Sequence, residues 1–359
     1  MESSDNEYQS VGWFQAIIIA TSVLTILVNI LLYYVVHRFS KPEIGTYKNL
    51  MQCFAVYGIV YGLVYIIVQP GMFCWGAASG MFSTSFLRNY PYAFQAITCL
   101  YPAAYSMSIF LLMVHFIYRY FVIIGKNNLM RWFEYPRALI WVVAFSAYTL
   151  DFWLTIFVGY RPTHNHYDYV RGFFRQTYNV NVDNVYIFIS RYYETTPDGF
   201  KLRYYDISLI LNLVFLDSIV LATIAYIFCK LCKALRALDV SMSKRSRRLQ
   251  FQFFQALLFQ TFIPLVTGFI PVSFFYMCPL FGINLGIYAN IFPLLLCYHP
   301  LLDGFVILFV VTDYRRGLAR MIRFANCRYI LNGRVESNSE LMQRCKPPIQ
   351  VQNTSLSQT

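Results

Sequence analysis

Seven long apolar segments dominate the pattern of hydrophobic and polar positions along the chain. Each is close to the length of about 20 mostly apolar residues that a helix needs to cross the hydrocarbon core of a membrane. None alternates apolar and polar residues as the strands of a membrane β-barrel do. The pattern therefore predicts an all-α membrane protein, a bundle of seven transmembrane helices, with spans near 14–36, 49–68, 94–118, 138–160, 207–229, 252–275 and 289–311.

The composition supports this class and excludes others. Of the 359 residues, 58% are hydrophobic and only 13% are charged, whereas soluble proteins average about 25% charged residues. So few charges cannot cover the surface of a soluble globule of this size. An ordinary cytosolic enzyme, a disordered chain and a secreted disulfide scaffold are therefore excluded.

Lysine and arginine predict the orientation of the bundle. Of the 29 such residues, 22 lie in the segments 37–48, 115–137, 230–248 and 312–359. By the positive-inside rule these segments face the cytosol, which predicts an outside N-terminus and a cytosolic C-terminus. Anionic lipid of the inner leaflet and cytosolic partners account for the net charge of +12. Nucleic acid is not needed as a partner.

The predicted outer segments are short except for one loop. Residues 1–13 form an extracellular N-terminus without Lys or Arg, so the basic start of a cleaved signal peptide is missing. In loop 161–205, residues 185–205 alternate in strand fashion around a Thr-Pro-Asp-Gly turn at 196–199. This predicts a β-hairpin lid between the fourth and fifth helices, with an irregular loop as the alternative.

The chain after the seventh span predicts a helix on the inner leaflet. Over 312–329, Leu318, Met321 and Ile322 recur at helical spacing between arginines, which is typical of an amphipathic juxtamembrane helix. Cys327 near its end is a candidate for palmitoylation, with an unmodified thiol as the alternative. The polar residues 330–359 predict a disordered cytosolic tail.

Ionisable groups inside a membrane are costly and point to function. His115 and Arg119 lie four residues apart near the inner end of the third helix, hence on one face, and Arg119 stands between Tyr118 and Tyr120. They are candidates for coupling to a cytosolic partner. The alternative is that Arg119 only extends its charge to the interface.

Asn29 and Asp303 are predicted at the same depth of helices one and seven. If these helices are neighbours, the two side chains would form a hydrogen bond beside Pro300 that acts as a switch. The alternative is a pair satisfied by water.

Helix six carries Gln260 and Pro264, and proline removes a backbone hydrogen bond. A hinge here would swing the basic end with Arg247 and Arg248, unless the bend serves packing alone.

A ligand pocket is predicted in the outer half of the bundle. Tyr101, Tyr105 and Ser108 share one face of the third helix, and Asp217 lies midway along the fifth. Such residues supply polar groups in an apolar pocket, although a tyrosine stripe also suits plain packing. The third helix has no acidic residue, which argues against an amine held by a carboxylate of that helix.

The sequence gives no sign of catalysis, a cofactor or a metal site. Among its nine cysteines only Cys229 and Cys232 form a CxxC pair, without the second CxxC pair that a four-cysteine metal site needs, and no hydrolase motif is present. A retinal protein is excluded because 289–311 contains no Lys, and a transporter is disfavoured because no internal repeat is visible. A receptor is the leading interpretation, and a seven-helix ligand-gated channel is the alternative.

Several motifs also resemble those of nematode seven-transmembrane chemoreceptors of the Str class. They are the sequences IGTYKNLM, VQP, HFIYRYF, LLFQTFIP, YHPLLD and DYRR at 44–51, 68–70, 115–121, 257–264, 298–303 and 313–316. The resemblance implies an olfactory-type G-protein-coupled receptor in the plasma membrane and cilia of sensory neurons. Its implied partners are a small-molecule odorant and a heterotrimeric G protein.

By analogy with the wider receptor superfamily, Arg119 stands where the coupling arginine stands. Tyr118 replaces the acid that precedes this arginine, and residues 247–252 offer no carboxylate. We therefore expect no ionic lock between helices three and six. A volatile ligand among helices three, five, six and seven would favour a conformer hinged at Pro264, whose cytosolic cleft admits the G protein at Arg119 and loop 230–248.

Overall fold

The computed structural model describes residues 8–41, 44–125, 127–197, 199–237 and 244–333. Within these ranges seven helices are long and apolar enough to cross a membrane, which confirms the predicted bundle. In chain order the helices are α1 Gly12–Phe39, α2 Tyr47–Val68, α3 Pro91–Thr98, α4 Leu100–Ile124, α5 Asn127–Met130, α6 Leu139–Gly159, α7 His164–Tyr178, α8 Tyr204–Ala237, α9 Lys244–Pro264, α10 Ile270–Met277, α11 Ile291–Val310 and α12 Thr312–Gly333. The seven spans are formed by α1, α2, α4, α6, α8, α9 with α10, and α11.

The helix α4 lies at the centre of the bundle. It contacts α2, α6, α8 and α9, while α1 packs against α2 and α11. Among the described helices, α4 contributes the most buried apolar side chains and α2 the next most. The bundle therefore has its core along α4, and α6 and α8 turn most of their apolar surface outward.

A small antiparallel sheet covers one end of the bundle, which we call the lid end. Strands β1 Pro70–Trp75 and β2 Ala78–Ser83 form a hairpin, and β3 Ile187–Arg191 pairs with β2. The helix α7 packs Phe173, Phe174 and Tyr178 against the sheet residues Phe73 and Phe82. The sequence patterns predict neither this hairpin nor α7.

The hairpin predicted over 185–205 is only partly right. Strands β4 Tyr193–Thr196 and β5 Gly199–Leu202 pair around the predicted turn, so the irregular-loop alternative is wrong. Residues 187–191 instead pair with β2 of the preceding loop. The physical reason is burial on both faces: Ile187 and Ile189 enter the cluster under α7, and Phe188 points to the helices.

The third transmembrane helix runs past its predicted end at residue 118. It continues through Ile124 and ends at Gly125, whose φ of +64° is left-handed backbone that glycine adopts readily. The prediction stopped short because Arg119 resembles a membrane boundary in the sequence. Its side chain is only 3% exposed, so the charge lies inside the bundle.

Pro300 interrupts the backbone hydrogen bonds of α11, and a neighbouring helix supplies the missing donor. Proline has no N–H to donate to the carbonyl of Leu296 one turn earlier in α11. The Tyr61 hydroxyl of α2 donates to that oxygen instead, at 3.1 Å. The Leu296 carbonyl is therefore paired, and this bond links α11 to α2.

The sixth span changes its helical pitch beside the candidate pocket. A π-helical turn, Leu265–Phe269, joins Pro264 at the end of α9 to α10, and such turns often occur at functional sites. The Tyr105 hydroxyl of α4 donates to the Pro264 carbonyl oxygen at 3.1 Å. Gly268 permits this approach, because a Cβ there would overlap the Tyr105 ring.

Candidate functional site

A cavity of about 360 Å³ lies between α4, α6, α8 and α10, directly below the lid sheet. Its walls are mainly apolar and aromatic. The lid contributes residues of both loops, among them Met72, Met81 and Phe188. A concave, largely apolar site with a few polar groups is typical of a small-molecule pocket.

Three of the four predicted ligand residues line this cavity. Tyr101 and Tyr105 reach it from α4, and Asp217 reaches it from α8. Ser108 does not line it, and we do not propose it as a ligand contact. Its hydroxyl lies one turn deeper, where it donates to the Tyr105 carbonyl at 2.6 Å and contacts His299 Nε2 at 2.9 Å.

The carboxyl group of Asp217 is anchored from α6. The Tyr148 hydroxyl donates to Asp217 Oδ1 at 2.5 Å, and Ser106 of α4 lies beside the same group. Asp151, the acid deep in the fourth helix, is exposed on the bundle surface and accepts from Asn212 at 3.0 Å. The cavity therefore contains Asp217 and not Asp151.

A chain of buried polar side chains lies below the cavity. Because Ser108 uses its one hydrogen on the Tyr105 carbonyl, His299 Nε2 must carry the proton between them. His299 Nδ1 then faces Asp303 Oδ2 at 3.3 Å, without an aligned hydrogen bond. The pair therefore holds one proton on its facing atoms, as a neutral acid with a neutral imidazole or as an ion pair.

The predicted direct bond between Asn29 and Asp303 is absent from the described residues. Asn29 Nδ2 donates instead to the Thr25 carbonyl at 2.9 Å and to the Pro300 carbonyl at 3.3 Å. Asp303 has no exposed surface, and its neighbour one turn away is His299. The two helices are neighbours as expected, but Asn29 binds the backbone of α11 at Pro300. The sequence marks His299 only by its place beside Pro300.

At the opposite end, which we call the tail end, Arg119 is enclosed by α2 and α9. Its Nη1 donates to Gln250 Oε1 at 2.9 Å. Its guanidinium carbon lies 3.4 Å from the ring centre of Tyr47 and 3.8 Å from that of Phe253. Cation–π contacts and one amide therefore hold this charge, and the interface alternative is wrong. Among the described residues, Nε and Nη2 find no partner.

The residues predicted beside Arg119 pack around it unequally. His115 and Tyr118 both contact the Tyr47 ring, with centroids at 5.5 and 5.4 Å. Tyr120 is half-buried and lies near Phe121. His115 and Tyr118 thus build the aromatic wall of the arginine site, and Tyr120 lies outside it.

A second glutamine of α9 binds the start of α12. Gln252 Nε2 donates to Thr312 Oγ1 at 2.7 Å, and Thr312 N donates to Gln252 Oε1 at 3.2 Å. We call Gln250 and Gln252 the glutamine latch, because they connect the first turns of α9 to α4 and to α12. The sequence analysis missed both, since an uncharged amide carries no distinctive pattern.

The other residues predicted for helix six and the tail take different places. Gln260 is buried in the bundle, and Arg247 and Arg248 are exposed beside the end of α8. The start of α12 is fixed by the Tyr314 hydroxyl on Ser40 at 2.9 Å, and burial raises the pKa of that phenol. Cys327 belongs to the backbone of α12, but its side chain lies outside the described part of the chain.

Comparisons with known proteins decide the family. The model of the family described as serpentine type 7TM GPCR chemoreceptor Str matches residues 14–319 of this chain. The chain belongs to the Str chemoreceptor family. It is 30% identical to the G-protein coupled receptor str-33 of Caenorhabditis elegans over 302 residues, which cover 83% of this chain and 88% of that protein.

Two further relatives of this Str chemoreceptor are each named serpentine receptor class r-10. The protein of Caenorhabditis briggsae is 29% identical and the match covers 82% of this chain and 85% of that protein. The protein of Caenorhabditis elegans is 28% identical, with 82% and 86% covered. The Str chemoreceptor is thus a multi-pass membrane receptor of the GPCR type and not an enzyme.

The lid of the Str chemoreceptor carries a compact ionic cluster. Arg203 donates to Glu194 Oε1 at 2.7 Å and to Asp206 Oδ2 at 2.8 Å. This guanidinium lowers the pKa of Glu194 below its usual value. The cluster joins β4 to the start of α8, the helix that carries Asp217, so the lid and the cavity wall are held together.

Proposed function

We propose that this receptor binds a small, volatile odorant in the cavity and activates a heterotrimeric G protein at the tail end. The observation that carries the proposal is the arrangement of the sixth span. Its π-helical turn and α10 line the cavity through Phe269 and Val272, while its other end carries the glutamine latch. One continuous span therefore links the cavity to the arginine site, with Pro264 between its two parts.

Tyr105 is the proposed point where the ligand acts on the sixth span. Its ring lines the cavity and its hydroxyl binds the Pro264 carbonyl. A ligand that displaces the ring weakens this bond and favours the conformer in which α9 pivots at Pro264. The ligand shifts the equilibrium only by its difference in affinity for the two conformers.

Release of the latch would expose Arg119 to the partner. In the conformation described above, which we call the closed form, its guanidinium is covered by Tyr47 and Phe253 and bonded to Gln250. Movement of α9 removes two of these three contacts at once. The G protein would then insert beside Arg119 and contact the exposed Arg247 and Arg248.

The proposal includes the predicted orientation and location. The lid end would face outward and the basic tail end the cytosol, where α12 rests on anionic inner-leaflet lipid. The plasma membrane of a sensory cilium is the proposed site of action.

The experiment is to express the full chain with an N-terminal tag and record calcium or cyclic-nucleotide responses to an odorant panel, with and without G-protein blockade. We expect at least one response that blockade abolishes. A fast cation current that survives the blockade would contradict the proposal and support the channel alternative.

A further inference from the structure

The cavity holds one acid without a matching base. Among the described residues that line it, Asp217 alone carries a formal charge at neutral pH, and no Lys, Arg or His faces it. The rest of the wall is aliphatic, aromatic or neutral polar. An ionised group in such surroundings is costly unless another group compensates its charge.

The groups that touch Asp217 favour its ionised form without compensating its charge. Tyr148 donates a hydrogen bond to Oδ1, and Ser106 lies beside the same carboxyl. Hydroxyl donors stabilise a carboxylate, but both are neutral. Burial opposes ionisation of this carboxyl while the two donors favour it, and a cation that enters the cavity would supply the missing counter-charge.

Aromatic rings surround the place where that counter-charge would lie. Tyr101, Tyr105, Phe152 and Tyr276 line the same cavity. The faces of aromatic rings attract an ammonium group, and the attraction grows when water is excluded. An anionic ligand would instead meet repulsion from Asp217, and a neutral one would leave the carboxylate uncompensated.

We propose that the ligand is a small organic amine that binds as its ammonium ion, with an N–H group donating to Asp217. This inference rests on the proposed function, because it names the chemical class of ligand for the same cavity. The ammonium group contacts the tyrosine rings, and the hydrocarbon part packs on Phe269 and Val272 of the sixth span. The carboxylate belongs to the fifth helix, so the absence of an acid in the third helix does not exclude an amine.

The test uses the full chain in lipid nanodiscs and three matched pairs of probes. The pairs are 2-phenylethylamine with 2-phenylethanol, cyclohexylamine with cyclohexanol, and isopentylamine with isopentanol. Within each pair the shape is nearly constant and only the ammonium group changes. Thermal unfolding is followed over a range of probe concentrations, from which an apparent Kd is obtained.

The variants separate the cavity acid from a general effect of charge in the membrane. Asp217→Asn removes the carboxylate, and Tyr148→Phe keeps it while removing one hydrogen bond. The matched control is Asp151→Asn, which makes the same chemical change on the bundle surface. Unfolding without probe shows whether each variant folds.

We expect at least one amine to bind about tenfold more tightly than its alcohol, since hydrogen bonds to charged groups are the stronger ones. Asp217→Asn should abolish that preference, Tyr148→Phe should reduce it, and Asp151→Asn should retain it. Equal binding of amines and alcohols would overturn the proposal. So would a preference that survives Asp217→Asn, or no binding of any of the three amines at millimolar concentration.

Failure of this inference is distinguishable from failure of the proposed function. G-protein turnover raised by opening the latch, as in Gln250→Leu, needs no ligand. High turnover in that variant without amine binding would refute the ligand class alone. Absence of both would refute the receptor mechanism as well.

Discussion

The bond between Arg119 and Gln250 gives the sharpest prediction, because it joins the two helices that must separate at the tail end. Gln250→Leu keeps a side chain of similar bulk but leaves the guanidinium with no acceptor. Arg119 Nη1 would then become a third unpaired donor beside Nε and Nη2 in the closed form. The closed conformer loses stability, while an open conformer exposed to water does not.

The size of the effect follows from the type of bond. A hydrogen bond to a charged group contributes about 1.5–3 kcal/mol, and each 1.4 kcal/mol is tenfold in an equilibrium constant. An open fraction of about 1%, typical of a minor state, would rise to between about 10% and 60%. Gln250→Leu should therefore signal without ligand.

The assay is ligand-independent G-protein turnover in membranes, normalised to receptor at the cell surface. Gln250→Glu should do the opposite and lower basal turnover, because its carboxylate pairs with the guanidinium. Gln255→Leu is the matched control, an identical change farther along α9. Basal turnover in Gln250→Leu equal to that of the wild type, or an equal rise in Gln255→Leu, would refute the reasoning.

Three further predictions concern the bond between Tyr105 and Pro264, the π-helical turn and the polar chain below the cavity. Tyr105→Phe keeps the ring in the cavity but removes the bond to Pro264, so basal turnover should rise about two- to tenfold, from a loss of about 0.5–1.5 kcal/mol. Unchanged turnover would show that this bond does not restrain α9. Gly268→Ala should lower the thermal stability of the purified receptor, because its methyl group overlaps the Tyr105 ring. Gly172→Ala, where the added carbon meets open space, is its control, and equal effects would contradict the prediction. If Asp303 and His299 share their proton as a neutral acid and a neutral imidazole, Asp303→Asn should unfold near the wild-type temperature, because an amide can donate in place of the acid. Asp303→Leu should be destabilised by about 1–3 kcal/mol, and the reverse order would favour an ion pair.

The spans were predictable because membrane thickness imposes a minimum length on each apolar segment. The error at Arg119 shows the limit of that argument. A charge usually marks the end of a span, but here rings from two other helices cover it. Contacts between helices distant in the sequence decide such cases, and the local pattern does not record them.

The lid was hidden from sequence analysis for a different reason. Strands β1 and β2 are buried on most sides, so they lack the alternation that reveals a half-exposed strand. The hairpin of β4 and β5 was found because its turn residues are distinctive.

The candidate site was predictable only in part. Tyr101 and Tyr105 are predictable from their shared helical face, and Asp217 from its acidic side chain midway along a span. The partners that give these groups their roles are not, namely Tyr148, His299 and Gln250, because each acts through a contact across the bundle.

The most direct test of the central claim is to measure movement of the tail end of α9 in the intact receptor. Fluorescent proteins placed in segment 238–243, which joins α8 to α9, and at the C-terminus report this movement by energy transfer. The account predicts that an activating ligand changes the transfer efficiency, and that Gln250→Leu shows the changed value without ligand. Signalling by ligand or by Gln250→Leu with no change in transfer would contradict the account.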